Sequence, residues 1–589
     1  METPVLTEPS TKQQANTLSG PFFPTFFSKP PSEIPLNFET QALRDLRNNH
    51  GIKSSLQGQL IHQWRIDSDQ INWVPYADEP LRFQLASPPK KWEGVRDAKN
   101  YGQRCIQRDT NTKQVWGSED CLFLNVFTPE VPPEGPLAQG KFPVLVFIHG
   151  GAFLMGSGDE YNPKYLLDQD VIVVTLNYRL GVFGFLNTED GLVEENLGLK
   201  DQLLALQWIQ KNIQSFGGDT SRVTLMGQSA GSACVHFHIL SPLSRGLFSA
   251  AIMQSGTALA PWAFQRKPLS LAKELSKQLN GPTDDTLSIL DFFKSLDHRV
   301  LAAADYDYQK FKHKVPVIFA PSKESLRDGK AQFLPDTPWN LMTSRKFPPI
   351  PVIFGLTCQE GLNRAGAVLT NESLLQRFNS SWEKMAPLNL FYRASSVDID
   401  EVSREVRNFY FGSEPISMNN KEKVIDLFSD RYFFTNTFST VRLWTEGNPQ
   451  DKPVYMYMFG YQGDNSILKS VNGISQVMGV CHTDDLQYIF DSTFFPLGLK
   501  PGTDDESMSK RMVELLTTFI THHTMDRMSS SEETLWQPVE PGREEGSEDQ
   551  RPLQYYFINL ESKMIQQPQD LMTRCQFWER LLPIRNSST

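Results

Sequence analysis

The stretch that most constrains this chain is Val223-Thr-Leu-Met-Gly-Gln-Ser-Ala-Gly-Ser232. Val223 to Met226 has strand character, and the run from Ala230 to Leu240 reads as a helix. Gly227 and Gly231 bracket Ser229 between them. A strand that passes into a helix through so short a turn brings backbones close together. Glycines at those two positions remove the side chains that would collide. Ser229 is then held at the tip in a strained backbone conformation with its hydroxyl exposed. The N–H groups that open the helix point at whatever negative charge forms there. The pattern predicts a nucleophilic serine.

The rest of the chain supplies the scaffold that such a turn requires. Pro143 to Ile148 and Val171 to Leu176 are continuous apolar runs, as expected of strands buried on both faces. Further strands are predicted at Val223–Met226, Ala250–Gln254, Pro351–Phe354 and Val454–Phe459, with helical segments between them. The segment Leu199 to Phe216 reads as a helix that Gly217-Gly218 ends. This alternation predicts an α/β fold with a central, mostly parallel, twisted sheet and helices on both faces, and the serine elbow makes it of the α/β-hydrolase type. Residues 1–50, rich in Pro, Ser and Gln, read as an extended or disordered tail. Residues 51–589 read as one catalytic domain, with short strands and turns alternating from Gly51 to Phe83.

Composition narrows the function classes. A net charge of −11 gives no reason to expect a nucleic-acid partner. No apolar run approaches the roughly 18 residues that span a membrane. Met1 to Gly20 is polar and lacks the apolar core of a secretory signal, so a cytoplasmic location is expected, with secretion as the alternative. Nothing in the sequence sets an oligomeric state.

A serine hydroxyl needs a base, the base needs an orienting acid, and the reaction needs an oxyanion hole. His149-Gly-Gly-Ala-Phe153 closes the first buried strand with small residues that let backbone N–H groups approach a substrate carbonyl. Gly151 and Ala152 are the expected donors there, with Ala230, next to the nucleophile, as the third. Spacing does not select the acid or the base, since the chain holds ten histidines.

The chain resembles the type-B carboxylesterase/cholinesterase family over about residues 55 to 582. The resemblance is carried by Glu119-Asp-Cys-Leu-Phe-Leu-Asn-Val126, His149-Gly-Gly-Ala-Phe153, Asn177-Tyr-Arg-Leu-Gly181, Gly198-Leu-Lys-Asp-Gln202, Phe216-Gly-Gly-Asp219, Gly227-Gln-Ser-Ala-Gly231 and Met253-Gln-Ser-Gly256. It implies a serine carboxylesterase with no cofactor and no metal. Ser229 would be the nucleophile, Glu360 in Gly355–Gly361 the acid, and His482 in Gly479–Asp485 the base. Trp262 resembles an acyl-pocket residue of the family. The elbow, Arg82-Phe83, Asp201-Gln202, Glu360 and Gly479-x-x-His-x-x-Asp485 together resemble the motif set of arthropod juvenile hormone esterases.

Three features depart from the family pattern. The early Gly-Ile-Pro-Tyr-Ala segment is altered to Trp73-Val-Pro-Tyr-Ala77, Ala152 replaces a frequent third glycine, and the secretory signal of most members is not seen. The family pattern also pairs Cys105 with Cys121; no other pair among the six cysteines is expected to bridge, with Cys358 and Cys481, beside Glu360 and His482, as the exception left open. A cholinesterase reading is disfavoured. Trp116 is the sole tryptophan between those cysteines, and it does not match the position that faces choline. A non-catalytic binding protein is the other alternative. Family members of that kind lack a triad residue, and all three are present here. The expected substrate is a small hydrophobic carboxylic ester, with a juvenile hormone-type or xenobiotic ester as candidates.

Overall fold

The computed structural model describes residues 70–583 apart from 95–97, 110–111, 131–139, 307–318, 328, 393–396, 447, 471–478, 496–497, 528–535 and 542–549. The chain divides into two units, Met1–Ser54 and Ser55–Thr589. The first unit, and with it the expected tail, lies outside the described residues.

Ten strands form one sheet: β1 (Gln70–Pro75), β2 (Phe123–Phe127), β3 (Phe142–Ile148), β4 (Ile172–Leu176), β5 (Gly218–Gln228), β6 (Ala250–Gln254), β7 (Val352–Thr357), β8 (Val454–Phe459), β9 (Gln554–Ile558) and β10 (Lys563–Gln566). Their order across the sheet is β1-β2-β4-β3-β5-β6-β7-β8-β9-β10. The run from β4 to β9 is parallel. Antiparallel pairs close both edges, β1–β2–β4 on one side and β9–β10 on the other. β3, β4, β7 and β8 are buried at every residue. A parallel strand with helices on both faces has no solvent side, which is why these strands carry unbroken apolar runs.

The six strands expected from the sequence are all present, and their alternation with helices gives the mostly parallel sheet. β5 is longer than Val223–Met226 and starts at Gly218. Of the remaining strands of the sheet, β1 falls in the stretch where short strands are expected, and β2, β9 and β10, at or next to the edges, were not foreseen. β10 illustrates why: Lys563 and Gln566 at its ends are exposed, so no continuous apolar run marks it. Within the described part of Gly51–Phe83, β1 is the strand found.

Helix α1 (Leu197–Asn212) buries Leu199, Leu203, Leu206 and Ile209, spaced three or four residues apart along one face. The expected helix to Phe216 continues only as a 3₁₀ turn, Ile213–Phe216. Gly217 ends it with φ 90°, a backbone conformation that suits glycine. Helix α2 (Ala230–Leu240) has all of its residues buried, because it lies on β5 and β6 beneath other helices. Helices α3 (Lys421–Ser429) and α4 (Thr435–Thr445) are joined through a π-helical turn, Asp430–Phe434. Cys105 and Cys121 form a disulfide with Cα atoms 4.9 Å apart, while Cys234, Cys358, Cys481 and Cys575 are free thiols. Among the described residues no helix is long and apolar enough to cross a membrane.

Candidate active site

Ser229 sits between β5 and α2 with φ 59° and ψ −122°, outside the regions open to ordinary residues. Its neighbours explain how that strain is held. A Cβ on Gly227 would lie 2.3 Å from the Gly231 carbonyl oxygen, and one on Gly231 would lie 2.1 Å from the Ile148 carbonyl oxygen. A side chain at Gly227 would force α2 away from β5, and one at Gly231 would push the elbow away from β3. The Ser229 N–H donates to the Gln254 carbonyl at 2.8 Å, which ties the tip to the end of β6.

The loop after β3 is strained in the same way. Gly151, Ala152 and Phe153 have φ values of 100°, 55° and 60°. The Gly151 carbonyl accepts from the N–H groups of Leu154 and Met155, closing a tight turn. Ala152 occupies a left-handed conformation where a glycine would be unstrained, at a cost of roughly 1–2 kcal/mol. A Cβ on Gly150 would meet the Gln228 carbonyl at 2.7 Å and the Ser229 Cβ at 3.1 Å, so this loop lies directly against the elbow. Among the described residues the N–H groups of Gly151, Ala152 and Ala230 donate to no acceptor. Ala230 is the first residue of α2, where a helix leaves its N–H groups unpaired.

Glu360 and His482 come from connections further along the sheet. Glu360 follows β7 and is fully buried. Its Oε1 accepts from the Thr357 N–H at 2.8 Å and from the Ser255 hydroxyl at 2.5 Å, and its Oε2 lies 2.7 Å from His482 Nδ1. With acceptors facing it on one side only, the His482 ring carries its proton on Nδ1, toward Glu360, and a lone pair on Nε2. That lone pair faces the Gln228 side-chain amide, whose Nε2 is 3.1 Å from His482 Nε2 and 3.1 Å from Thr483 Oγ1. Among the described residues Ser229 Oγ makes no hydrogen bond to His482. The structure therefore joins the expected acid to the expected base, and places the residue before the serine, rather than the serine itself, on the base.

Aromatic rings close the site. Phe433, on the π-helical turn, stacks on the His482 ring with centroids 4.5 Å apart and planes at 29°. Trp262 donates its indole N–H to the Tyr432 carbonyl at 3.0 Å and lies 6.0 Å from Phe433 and 6.4 Å from Phe153. Trp262 lies close to the elbow, since a Cβ on Gly256 would lie 3.1 Å from its ring and 2.4 Å from the Ser229 carbonyl oxygen. Phe433 was not foreseen, and no periodicity or motif marks it, because the π-helical turn that aims it is invisible in the sequence. Ser255 lies in the Met253–Gly256 motif, a signal that was legible but without an assigned role. Gln254 in the same motif donates to Asp485 Oδ2 at 3.0 Å, beside the Tyr457 hydroxyl at 2.8 Å. Burial pushes the Asp485 carboxyl up to about 6.

The chain matches the Carboxylesterase family over residues 54–578. It belongs to that family. It is a carboxylic ester hydrolase of the type-B class. It is 34% identical over 479 residues to Venom carboxylesterase-6 of Apis mellifera, covering 80% of this chain and 83% of that one. It is 36% identical over 481 residues to the Juvenile hormone esterase of Tribolium castaneum, covering 77% and 79%. Among solved structures it is similar to the Juvenile Hormone Esterase from Manduca sexta with OTFP covalently attached, with a TM-score of 0.75 and 29% identity, over 87% of this chain and 94% of that one.

In this carboxylesterase several motif residues work behind the site. Asp201 forms a buried ion pair with Arg179 at 2.6 Å, and Gln202 accepts from His238 Nε2 at 3.0 Å. Arg82 binds Glu119 and the carbonyls of Phe293 and Leu296. These residues fix elements rather than face Ser229. Trp116 lies in the disulfide-closed hairpin with the Arg104 guanidinium 5.1 Å from its ring centroid. Its face already holds a cation of the protein itself.

Proposed function

We propose that this carboxylesterase hydrolyses neutral, hydrophobic carboxylic esters through an acyl-enzyme on Ser229. The observation that carries this reading is the 2.7 Å contact of Glu360 Oε2 with His482 Nδ1, beside a serine held at a strained elbow. Substrate binding exchanges the Gln228 amide on His482 Nε2 for the Ser229 hydroxyl. Ser229 Oγ attacks the ester carbonyl while His482 Nε2 takes its proton. Glu360 holds the imidazole in the required tautomer and stabilises the imidazolium. The N–H groups of Gly151, Ala152 and Ala230 receive the oxyanion. His482 gives its proton to the leaving alcohol, and water then hydrolyses the acyl-enzyme by the same steps.

The aromatic rings of Trp262, Phe433 and Phe153 favour an apolar acyl or alcohol group. Similarity to two juvenile hormone esterases supports a juvenile hormone-type ester as a candidate substrate, beside xenobiotic esters. The covered face of Trp116 weighs against choline esters. The Cys105–Cys121 bridge supports secretion over the cytoplasmic reading, because disulfides persist in oxidising compartments. A series of p-nitrophenyl esters of rising chain length, run beside juvenile hormone and butyrylcholine, tests the substrate class. Efficiency should be well above that for butyrylcholine on a matched neutral butyrate ester. Comparable efficiency on the two would overturn the proposal.

A further inference from the structure

We infer that Gln107 is a positioning residue that holds the oxyanion loop in register with Ser229. The inference rests on the proposed role of the Gly151 and Ala152 N–H groups. Gln107 lies two residues after Cys105, on a short hairpin in which Gln107 and Arg108 pair with Trp116 and Val115, and the Cys105–Cys121 disulfide closes that hairpin. It is 3% exposed. Its side chain satisfies both backbone groups of Gly156: Nε2 donates to the Gly156 carbonyl at 3.0 Å, and Oε1 accepts from the Gly156 N–H at 2.9 Å. The same Nε2 also donates to the Cys105 carbonyl at 3.0 Å, which fixes the amide against its own hairpin.

Gly156 is where the oxyanion turn ends, and it presses on where that turn begins. A Cβ there would lie 2.4 Å from His149 Nδ1 and 2.8 Å from the Gly150 carbonyl oxygen. Between those points run three successive residues with positive φ. Strain of this kind persists only where surrounding contacts over-determine it. Other contacts hold the turn from different sides: the Tyr178 hydroxyl donates to the His149 carbonyl at 3.0 Å, and the Gly181 N–H donates to the Phe153 carbonyl at 2.6 Å. Gln107 secures the exit. Arg104, on the other side of Cys105, adds a second grip through Asp159 and Glu160, each at 2.8 Å. No bond of Gln107 points to Ser229, so its effect on turnover passes through the placement of the loop.

The test uses the full chain with two variants. Gln107→Met keeps the length and loses all three bonds; Gln107→Glu keeps the acceptor for Gly156 N–H and faces two carbonyls with a carboxylate. The readouts are kcat and KM on p-nitrophenyl butyrate, the thermal midpoint, and the affinity of an alkyl trifluoromethyl ketone. That ketone forms a tetrahedral adduct on the serine and so depends on the oxyanion donors. The expected result is a fall in kcat of about 10- to 100-fold, with KM within about threefold and ketone affinity falling in step with kcat. Gln107→Glu, which keeps one bond to Gly156, carries the same comparison if Gln107→Met does not fold. A lowered thermal midpoint with unchanged kcat and ketone affinity would show a purely structural residue and overturn the inference. A phosphonate adduct of the parent enzyme separates the two levels of the argument. If its oxygen faces donors other than Gly151, Ala152 and Ala230, the oxyanion assignment fails and the inference with it. If the oxygen faces those three and the variants bind the ketone as the parent does, the inference about Gln107 alone fails.

Discussion

Ser229 and the Gly151–Phe153 turn are shaped by backbone crowding, with side chains such as Gln107 and Tyr178 bracing the turn from outside, whereas Glu360 and His482 are placed mainly by side chains. On the elbow side, glycines meet neighbouring backbone at separations where no Cβ fits, and the strained φ values follow from that crowding. On the acid–base side, Glu360 is fixed by a hydroxyl, a backbone N–H and an imidazole, and His482 by a carboxylate and a stacked ring. A backbone device needs only a few adjacent residues of the right size. A side-chain device needs partners that the chain brings together from far apart; Glu360 and His482 are 122 residues apart in sequence.

The two sides also bury opposite kinds of ionisable group. Near the elbow, burial pushes His149 down to about 4 and His236 and His238 down to about 3. Beside His482, burial pushes Asp484 up to about 7 and Asp485 up to about 6. Each region therefore excludes charge in its own way and responds to acid in its own direction.

The largest expected effect separates the nucleophile from everything that supports it. Ser229→Ala should lower turnover on a simple aryl ester by on the order of 10⁶-fold, and organophosphate label should be lost with it. Turnover close to that of the parent would remove the nucleophile from the comparison. Glu360→Gln probes the side-chain device. A neutral amide can offer an N–H to His482 Nδ1 and so favour the wrong tautomer, and a loss of about 10⁴-fold in kcat is expected. A loss as small as a few fold would mean that packing by Phe433 alone orients the imidazole.

Ala152→Pro probes the backbone device. It deletes a donor N–H, and the proline ring, fixed near φ −65°, cannot adopt the φ of 55° found there. A fall of about 10²-fold or more is expected. Ala152→Gly keeps the N–H and suits the positive φ, so it should stay near the parent. If both variants fall equally, the Ala152 methyl rather than its N–H matters.

The smallest effect is on local stability against pH. The three histidines have folded pKa values below the unfolded value of about 6.5. Their contribution is fully present above that pH and is lost as pH falls toward 4 and 3. Asp484 and Asp485 have folded values above the unfolded value of about 3.9. Their contribution is fully present below that pH and is lost as pH rises through 6 to 7. Hydrogen exchange at about pH 5 and pH 8, corrected for intrinsic rates, should show α2 better protected at the higher pH and the Asp484–Tyr488 turn better protected at the lower. The same pH response in both segments would erase the contrast.

Much of this protein was determined by sequence alone. The elbow is legible because its key residues are adjacent: Gly227, Ser229 and Gly231 lie within five residues, and their sizes permit the turn that packing against β3 and β6 then holds. The buried parallel strands were legible for a related reason, since a strand covered on both faces must be apolar throughout. The six expected strands and their alternation with helices gave the sheet. The edge strand β10 was not legible, because exposure breaks its apolar run at Lys563 and Gln566. Glu360 and His482 were singled out by family motif rather than by pattern, since nothing in the spacing of ten histidines selects one. Only the tertiary structure decided that Phe433 lies on the His482 ring, that Gln228 rather than Ser229 meets His482 Nε2, and that Gln107 clamps Gly156. Each of these is a contact between side chain and distant partner. Local sequence fixes φ, ψ and size, whereas such contacts depend on where the whole sheet and its covering helices bring the chain back.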